Sequence, residues 1–215
     1  MQRLTFKRRS IIDGLTLIVP GNGMARPLSE EKRIALLTAA TAAVASSGIS
    51  ASTYRIAKDA GVAEGTLFRY FPTKDALYER LYLDLKEDLV TYLVDGLPDE
   101  AGSERKFRHL WDRFVEWGLR APEKQKALRQ LEAFHAISDT DPRLDNAMAR
   151  SLQEVVQQGF KSGVLKKQPV MFLWGLIQGI AGVVFENASR DSKEVERCKT
   201  LGWEALWGAV AKPRR

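Results

Sequence analysis

The chain has 215 residues, a formal net charge of +6 and 28% charged side chains. That length supports a sizeable core, and the charge permits attraction to a polyanion. Its 45% apolar content excludes an intrinsically disordered chain, and the lone Cys198 excludes an intramolecular disulfide, pointing to a reducing, cytoplasmic setting.

Residues 1–23 do not fit the rest of the chain. Arg3, Lys7, Arg8 and Arg9 precede an apolar stretch, Ile11–Val19, that Asp13 and Gly14 interrupt, which makes a poor signal peptide. Met24 reads as the natural initiator, with residues 1–23 an over-extended reading frame. Helix one begins at Ser29, an N-cap with Lys32 where a Glu would complete a capping box. Ile34, Leu37, Ala40, Thr41 and Val44 form its apolar stripe, and Gly48 stops it. Ser52 and Thr53 then cap a short helix carrying Ile56, Ala57 and Ala60. Gly61 supplies the left-handed turn that breaks it. A second short helix is expected from about Ala63 to Tyr70, with Leu67 and Phe71 on its inner face and Pro72 ending it. Thr73 caps a long fourth helix with Asp75 near its positive end. Leu77, Leu81, Leu85 and Leu89 recur along it as far as Gly96-Leu97-Pro98.

The remainder reads entirely as helix, so the fold class is all-α. Phe107, Leu110, Trp111, Phe114 and Trp117 follow Ser103. Pro122 opens a helix with Leu128, Leu131, Phe134 and His135. Asp141-Pro142 starts another, with Leu144, Met148, Leu152, Val155, Val156 and Phe160, closing at Gly163. Pro169 opens an apolar helix to about Phe185. The run Val170–Phe185 falls short of the ~20 residues a bilayer needs and contains Gln178, so a helix buried in protein, not a membrane span, is expected. A last helix carries Val195, Cys198, Leu201, Leu206 and Val210.

The segment Ser52–Lys74 resembles the amino-terminal DNA-binding domain of the TetR (tetracycline-repressor-like) family of bacterial transcription regulators. Thr53, Ile56-Ala57, Ala60-Gly61-Val62, Gly65-Thr66-Leu67, Tyr70-Phe71, Lys74 and Leu77 carry the resemblance. It implies a helix-turn-helix head over residues 24–75 and a helical ligand-binding and dimerisation domain over 76–215. The second short helix would lie in the major groove of a double-stranded operator. Glu64, Gly65, Thr66 and Arg69 are then base-edge candidates: Glu accepts from cytosine, Thr meets a thymine methyl, Arg grips guanine. Ser52, Thr53, Phe68, Tyr70 and Lys74 fall at phosphate-contacting positions. Phe68 stands where the family has Tyr, which leaves only packing there, and Ala63 replaces the usual capping hydroxyl. On this reading residues 1–23 have an alternative role, a basic arm along the DNA backbone or minor groove.

The resemblance also implies a pocket for a small, mostly apolar effector among the middle helices. Trp111, Phe114, Trp117, Phe134, His135, Met148, Met171, Phe172 and Trp174 are the candidates, although aromatic and Met stripes are commonly core. Gly175, Gly179 and Gly182 form a small-residue strip, and Trp203 and Trp207 lie one turn apart. By resemblance, the last two helices of two subunits pair into a four-helix bundle, making a homodimer. His109, His135 and Cys198 lack metal-ligand spacing. With no GxSxG, P-loop or Cys/His pair either, neither an enzyme nor a cofactor is expected.

Overall fold

The computed structural model describes residues 28–98, 100–134, 147–190 and 192–213. For residues 134, 147–149, 189, 190 and 192 it describes the backbone alone. The leader 1–23, His135 and Asp141-Pro142 lie outside the described residues, as do the side chains of Phe134 and Met148.

The elements are α1 (Glu30–Ser47), α2 (Thr53–Asp59), α3 (Glu64–Tyr70), α4 (Lys74–Val94), α5 (Ser103–Arg120), α6 (Pro122–Phe134), α7 (Ala147–Lys161), α8 (Val170–Arg190) and α9 (Val195–Val210). The only extended pairing among the described residues is a single antiparallel bridge between Leu165 and Ala211. The all-α reading therefore stands.

The head closes as its caps dictate. Ser29, Ser52 and Thr73 each accept from a backbone N–H three residues on, which satisfies one open donor per helix start. Ala63 begins α3 without a side-chain cap. Gly48 (φ 63°) and Gly61 (φ 70°) take the left-handed conformation that the turns after α1 and α2 require. Leu36, Val44, Ile56 and Leu67 are completely buried and hold the three helices around one small core. Burial of each such side chain contributes about 1.5–3 kcal/mol. The expected α1 stripe needs one correction. Ile34 is 53% exposed, and Leu36, Leu37, Ala40, Ala43 and Val44 are the buried set. At roughly 100° per residue, Ile34 projects about 120° away from Ala40 around the helix.

Two tyrosines fasten the head. Tyr70 Oη accepts from the Ser29 backbone N–H at 2.8 Å, joining the end of α3 to the start of α1. Tyr78 on α4 shares its hydroxyl hydrogen between the carbonyls of Ile49 and Ala51, each at 3.3 Å. Its ring is buried, and that burial pushes the phenol up to about 12.

Beyond the head, α4 presents Leu77, Leu81, Leu85, Leu89 and Leu93 inward against α5, α6 and α7. α6 packs on α1 as well as on α4, so it joins head to body. The Gln130 side chain lies where a Cβ on Gly48 would meet it at 3.4 Å. α8 runs to Arg190, beyond the expected end at Phe185, and packs on α9 and α5. Both α1 and α8 have the length and apolarity to span a membrane by composition alone. In the fold, α1 buries its stripe in the head, and Gln178 of α8 bonds Glu132.

Candidate nucleic-acid interface

The first turns of α2 and α3 meet. Thr53 Oγ1 donates to Glu64 Oε1 at 2.6 Å, so one expected phosphate contact and one expected base contact are bonded to each other. Glu64 keeps its second oxygen as an acceptor. On α3, Leu67 is fully buried, whereas Gly65, Phe68 and Arg69 are exposed and Thr66 is half-buried. The helix thus turns one face to the core and the other to solvent. An added Cβ on Gly65 would meet nothing within 4 Å.

Around that face lie Ser52, exposed at the start of α2, and Lys74 at the start of α4. Lys74 Nζ sits 5.3 Å from the Tyr78 ring centroid. Arg69 and Lys74 have no ion pair among the described residues, whereas Arg55 faces Asp59 at 3.7 Å on the same helix. Phe68 is 40% exposed, an apolar side chain on an otherwise polar face. Tyr54, on α2, is 63% exposed, a surface aromatic that sequence reasoning does not single out. Its i, i+3 relation to the buried Ala57 gives no warning, since apolar spacing alone does not say which aromatic faces out. Tyr70 has a structural role that the sequence does not announce. Its oxygen already accepts from Ser29, so it acts first as a fastener, with only its O–H left to donate to a phosphate.

Six of the nine expected effector-pocket residues have described side chains, and they differ in their surroundings. Trp111, Phe114 and Trp117 are buried core. The indole of Trp111 donates to the Lys199 carbonyl at 3.0 Å, and that of Trp117 to Asp88 at 2.8 Å. Trp174 packs edge-on against Phe114, with ring centroids 5.2 Å apart. Met171 and Phe172 face outward, at 38% and 58% exposure. Met171 and Trp174 line a cavity of about 370 Å³ together with Arg129, Glu132 and Gly179.

Sequence reasoning misses the polar knot beside that cavity. Glu132 of α6 pairs with Lys86 of α4 and accepts from Gln178 of α8, and the Trp174 indole lies 3.4 Å away. The Lys86 and Glu132 side chains are only 16% and 10% exposed. Gln178, a lone amide in an apolar run, is the one signal of it in the sequence.

Of the expected interface residues, Gly175 and Gly179 are exposed, with open space where a Cβ would project. Gly182 differs, since Arg129 lies 3.4 Å from that point. Trp203 turns inward, is 8% exposed and stacks on Trp207 at 5.0 Å, with Phe107 of α5 beyond. Leu201 of α9 is 53% exposed.

A helix-turn-helix head with a helical body is the architecture of a DNA-binding regulator, and comparison with known proteins agrees. Residues 36–81 match the bacterial regulatory proteins of the tetR family. That stretch covers most of the head, and the chain as a whole is similar in fold to TetR-family transcription regulators. A TetR family transcription regulator from Marinobacter aquaeolei VT8 is 25% identical, with a TM-score of 0.69 over 85% of this chain and 97% of that one. A TetR-family transcriptional regulator from Haemophilus influenzae Rd, 22% identical, has a TM-score of 0.64 over 85% and 97% of the two chains. The nucleoid occlusion factor SlmA of Pasteurella multocida is 26% identical over 99 residues, 46% of this chain and 48% of the relative. That of Haemophilus ducreyi is 43% identical over 71 residues, 33% and 35% of the two chains. The matched regions thus span half or less of these curated relatives.

Proposed function

We propose that this protein is a homodimeric, sequence-specific DNA-binding regulator that represses transcription by occupying an operator. One observation carries the reading: α3 buries Leu67 while leaving Arg69 exposed and Thr66 half-exposed, in a head that matches the tetR family. Glu64, Gly65, Thr66 and Arg69 read base edges, and Ser52, Tyr70 and Lys74 hold phosphates, with Thr53 joining them only when its hydroxyl hydrogen turns from Glu64 to a phosphate. Phe68 packs on a sugar or thymine methyl. Residues 24–75 form the reading head and 76–215 the body, in a cytoplasmic protein.

Two heads related by a two-fold axis address two half-sites. The open glycines of α8 support pairing through that helix. A small, mostly apolar effector held in the body favours a conformer whose heads no longer match adjacent major grooves, and it works only through differential affinity for the two conformers. α4 is the lever, since it starts at the head and carries Lys86 of the polar knot. Footprinting the pure protein on the DNA upstream of its own gene tests the reading. Protection of one site with two-fold-related halves is expected; protection without sequence preference would refute it.

A second reading has its own support in the match to nucleoid occlusion factors. There the chain is a structural DNA-binding protein that occupies many spaced sites and answers to no effector. Genome-wide occupancy separates the two, with few promoter sites on the first reading and many dispersed sites on the second.

A further inference from the structure

A cavity of about 1080 Å³ shares no lining residue with the one beside the polar knot. It opens between the start of α5, the α7–α8 connection and the end of α9. Its apolar wall is the Trp203–Trp207 stack, whose planes are inclined by 17°. Phe107 backs Trp207 at 6.3 Å between ring centroids.

Its charge is one-sided. Arg105, Arg108, Lys166 and Lys212 line it against a single acidic residue, Glu104. Two of these cations are already engaged. Arg108 bonds Asp112 at 2.9 Å and lies over the Trp203 ring at 5.4 Å, and Lys166 donates to the Ala209 carbonyl at 2.7 Å. Arg105 and Lys212 have no ion pair among the described residues. α5 also begins without a side-chain cap at Gly102, so its first turn adds partial positive charge at the same wall.

The walls are fixed rather than loose. Lys166 N–H donates to the Val210 carbonyl at 2.8 Å, and Lys212 N–H to the Val164 carbonyl at 2.9 Å. This short antiparallel clamp sets Lys212 at the mouth. An added Cβ on Gly163 would lie 3.7 Å from its ammonium.

We propose that this cleft is a second small-molecule site, built for an amphipathic organic anion with an apolar ring system and one carboxylate, sulfonate or phosphate. The ring system lies along the indole wall, and the anionic group reaches Arg105 and Lys212. An apolar wall with a few convergent polar groups is the ordinary composition of a ligand site. Pairing with two cations gives such an anion an advantage over a neutral molecule of the same shape. The site is independent of the DNA-binding reading, because no residue of the head takes part.

The test uses the full-length protein and two fluorescent probes of similar shape, anionic 8-anilinonaphthalene-1-sulfonate and neutral N-phenyl-1-naphthylamine. The anion is expected to bind stoichiometrically and to quench indole fluorescence. In the R105E/K212E variant its affinity should fall about tenfold or more, while the neutral probe changes less than twofold. A second variant, W207F, should lose most of the anion-induced quenching. Circular dichroism melts of both variants should match the parent. Equal loss of both probes, an unchanged anion affinity in R105E/K212E, or full quenching in W207F would overturn the assignment. If charge reversal unfolds the chain, R105Q/K212Q supplies the same comparison.

Discussion

Thr53 and Glu64 are joined by a 2.6 Å hydrogen bond between the first turns of the two short helices of the head. The bond orients a carboxylate at the surface that the proposal turns toward DNA, where a loose negative charge would meet phosphates. Thr53→Val removes the donor and should cost about 1 kcal/mol of stability, the usual net worth of one such bond. In operator binding, Thr53→Val and Glu64→Ala should be non-additive, because each removes the same contact. A double-mutant cycle by fluorescence anisotropy checks this. Additivity within about 0.5 kcal/mol would mean that the two side chains act separately.

Arg69 and Lys74 should part company in one experiment. Arg69→Ala should relax preference at one base pair per half-site at a cost of about 1–3 kcal/mol. Lys74→Ala should weaken binding to every duplex and flatten the salt dependence by about one unit per half-site. Titrations of operator and scrambled DNA at several salt concentrations distinguish them. A uniform loss for Arg69→Ala would argue against base reading.

Lys86 and Glu132 form an ion pair with side chains 16% and 10% exposed. Glu132→Ala leaves the ammonium without its partner and should destabilise by roughly 3–5 kcal/mol. Lys86→Met combined with Glu132→Leu removes both charges and should recover most of that loss. Urea denaturation measures both. A double variant as weak as the single one would show that the knot is held by more than the pair.

Tyr78 gives a pH signature. Its phenol is raised from an ordinary 10.0 to about 12 by burial. The folded chain keeps the proton that the unfolded chain loses first, so the stabilisation is complete below pH 10 and is lost as the pH climbs from 10 toward 12. Tyr78→Phe should be less stable at neutral pH by about 1 kcal/mol, having lost its bond to the Ile49 and Ala51 carbonyls. Its stability should then fall less steeply than the parent's above pH 10. Parallel slopes for the two proteins would remove Tyr78 from the alkaline transition.

The head is legible in the sequence because local chemistry specifies it. Ser29, Ser52 and Thr73 are caps, Gly61 has one backbone use there, and Leu67 and Phe71 sit at helical spacing. The body is legible only as helices. Periodicity says that Trp111, Phe114 and Trp203 face something apolar, but not whether that is a neighbouring helix, a ligand or a second subunit. Trp111 and Phe114 turn out to face the subunit's own interior, whereas Trp203, although 8% exposed, also forms part of the wall of the α5–α9 cleft. The Lys86–Glu132–Gln178 knot joins residues distant in sequence, and only the packing of α4, α6 and α8 brings them together. Tyr70 illustrates the same limit at short range: the resemblance marks it as a phosphate contact, and nothing in the sequence signals that its oxygen also accepts from the Ser29 backbone N–H.

The pairing surface can be tested at a residue the subunit does not need. Gly179 is exposed, and a Cβ there would touch nothing within 4 Å, so Gly179→Leu should leave the monomer fold intact. If α8 meets its copy there, the added isobutyl group must separate the two helices. The variant should then elute as a monomer in light scattering and lose operator affinity, because one head alone addresses one half-site. Gly202 supplies the contrast. A Cβ there would come within 2.6 Å of the Trp111 indole and 2.9 Å of Val184, so Gly202→Ala should lower the melting temperature whether or not a dimer forms. A Gly179→Leu protein that melts normally and remains dimeric would move the interface off this stretch of α8. One that becomes monomeric with an unchanged melt ties DNA affinity to pairing rather than to folding.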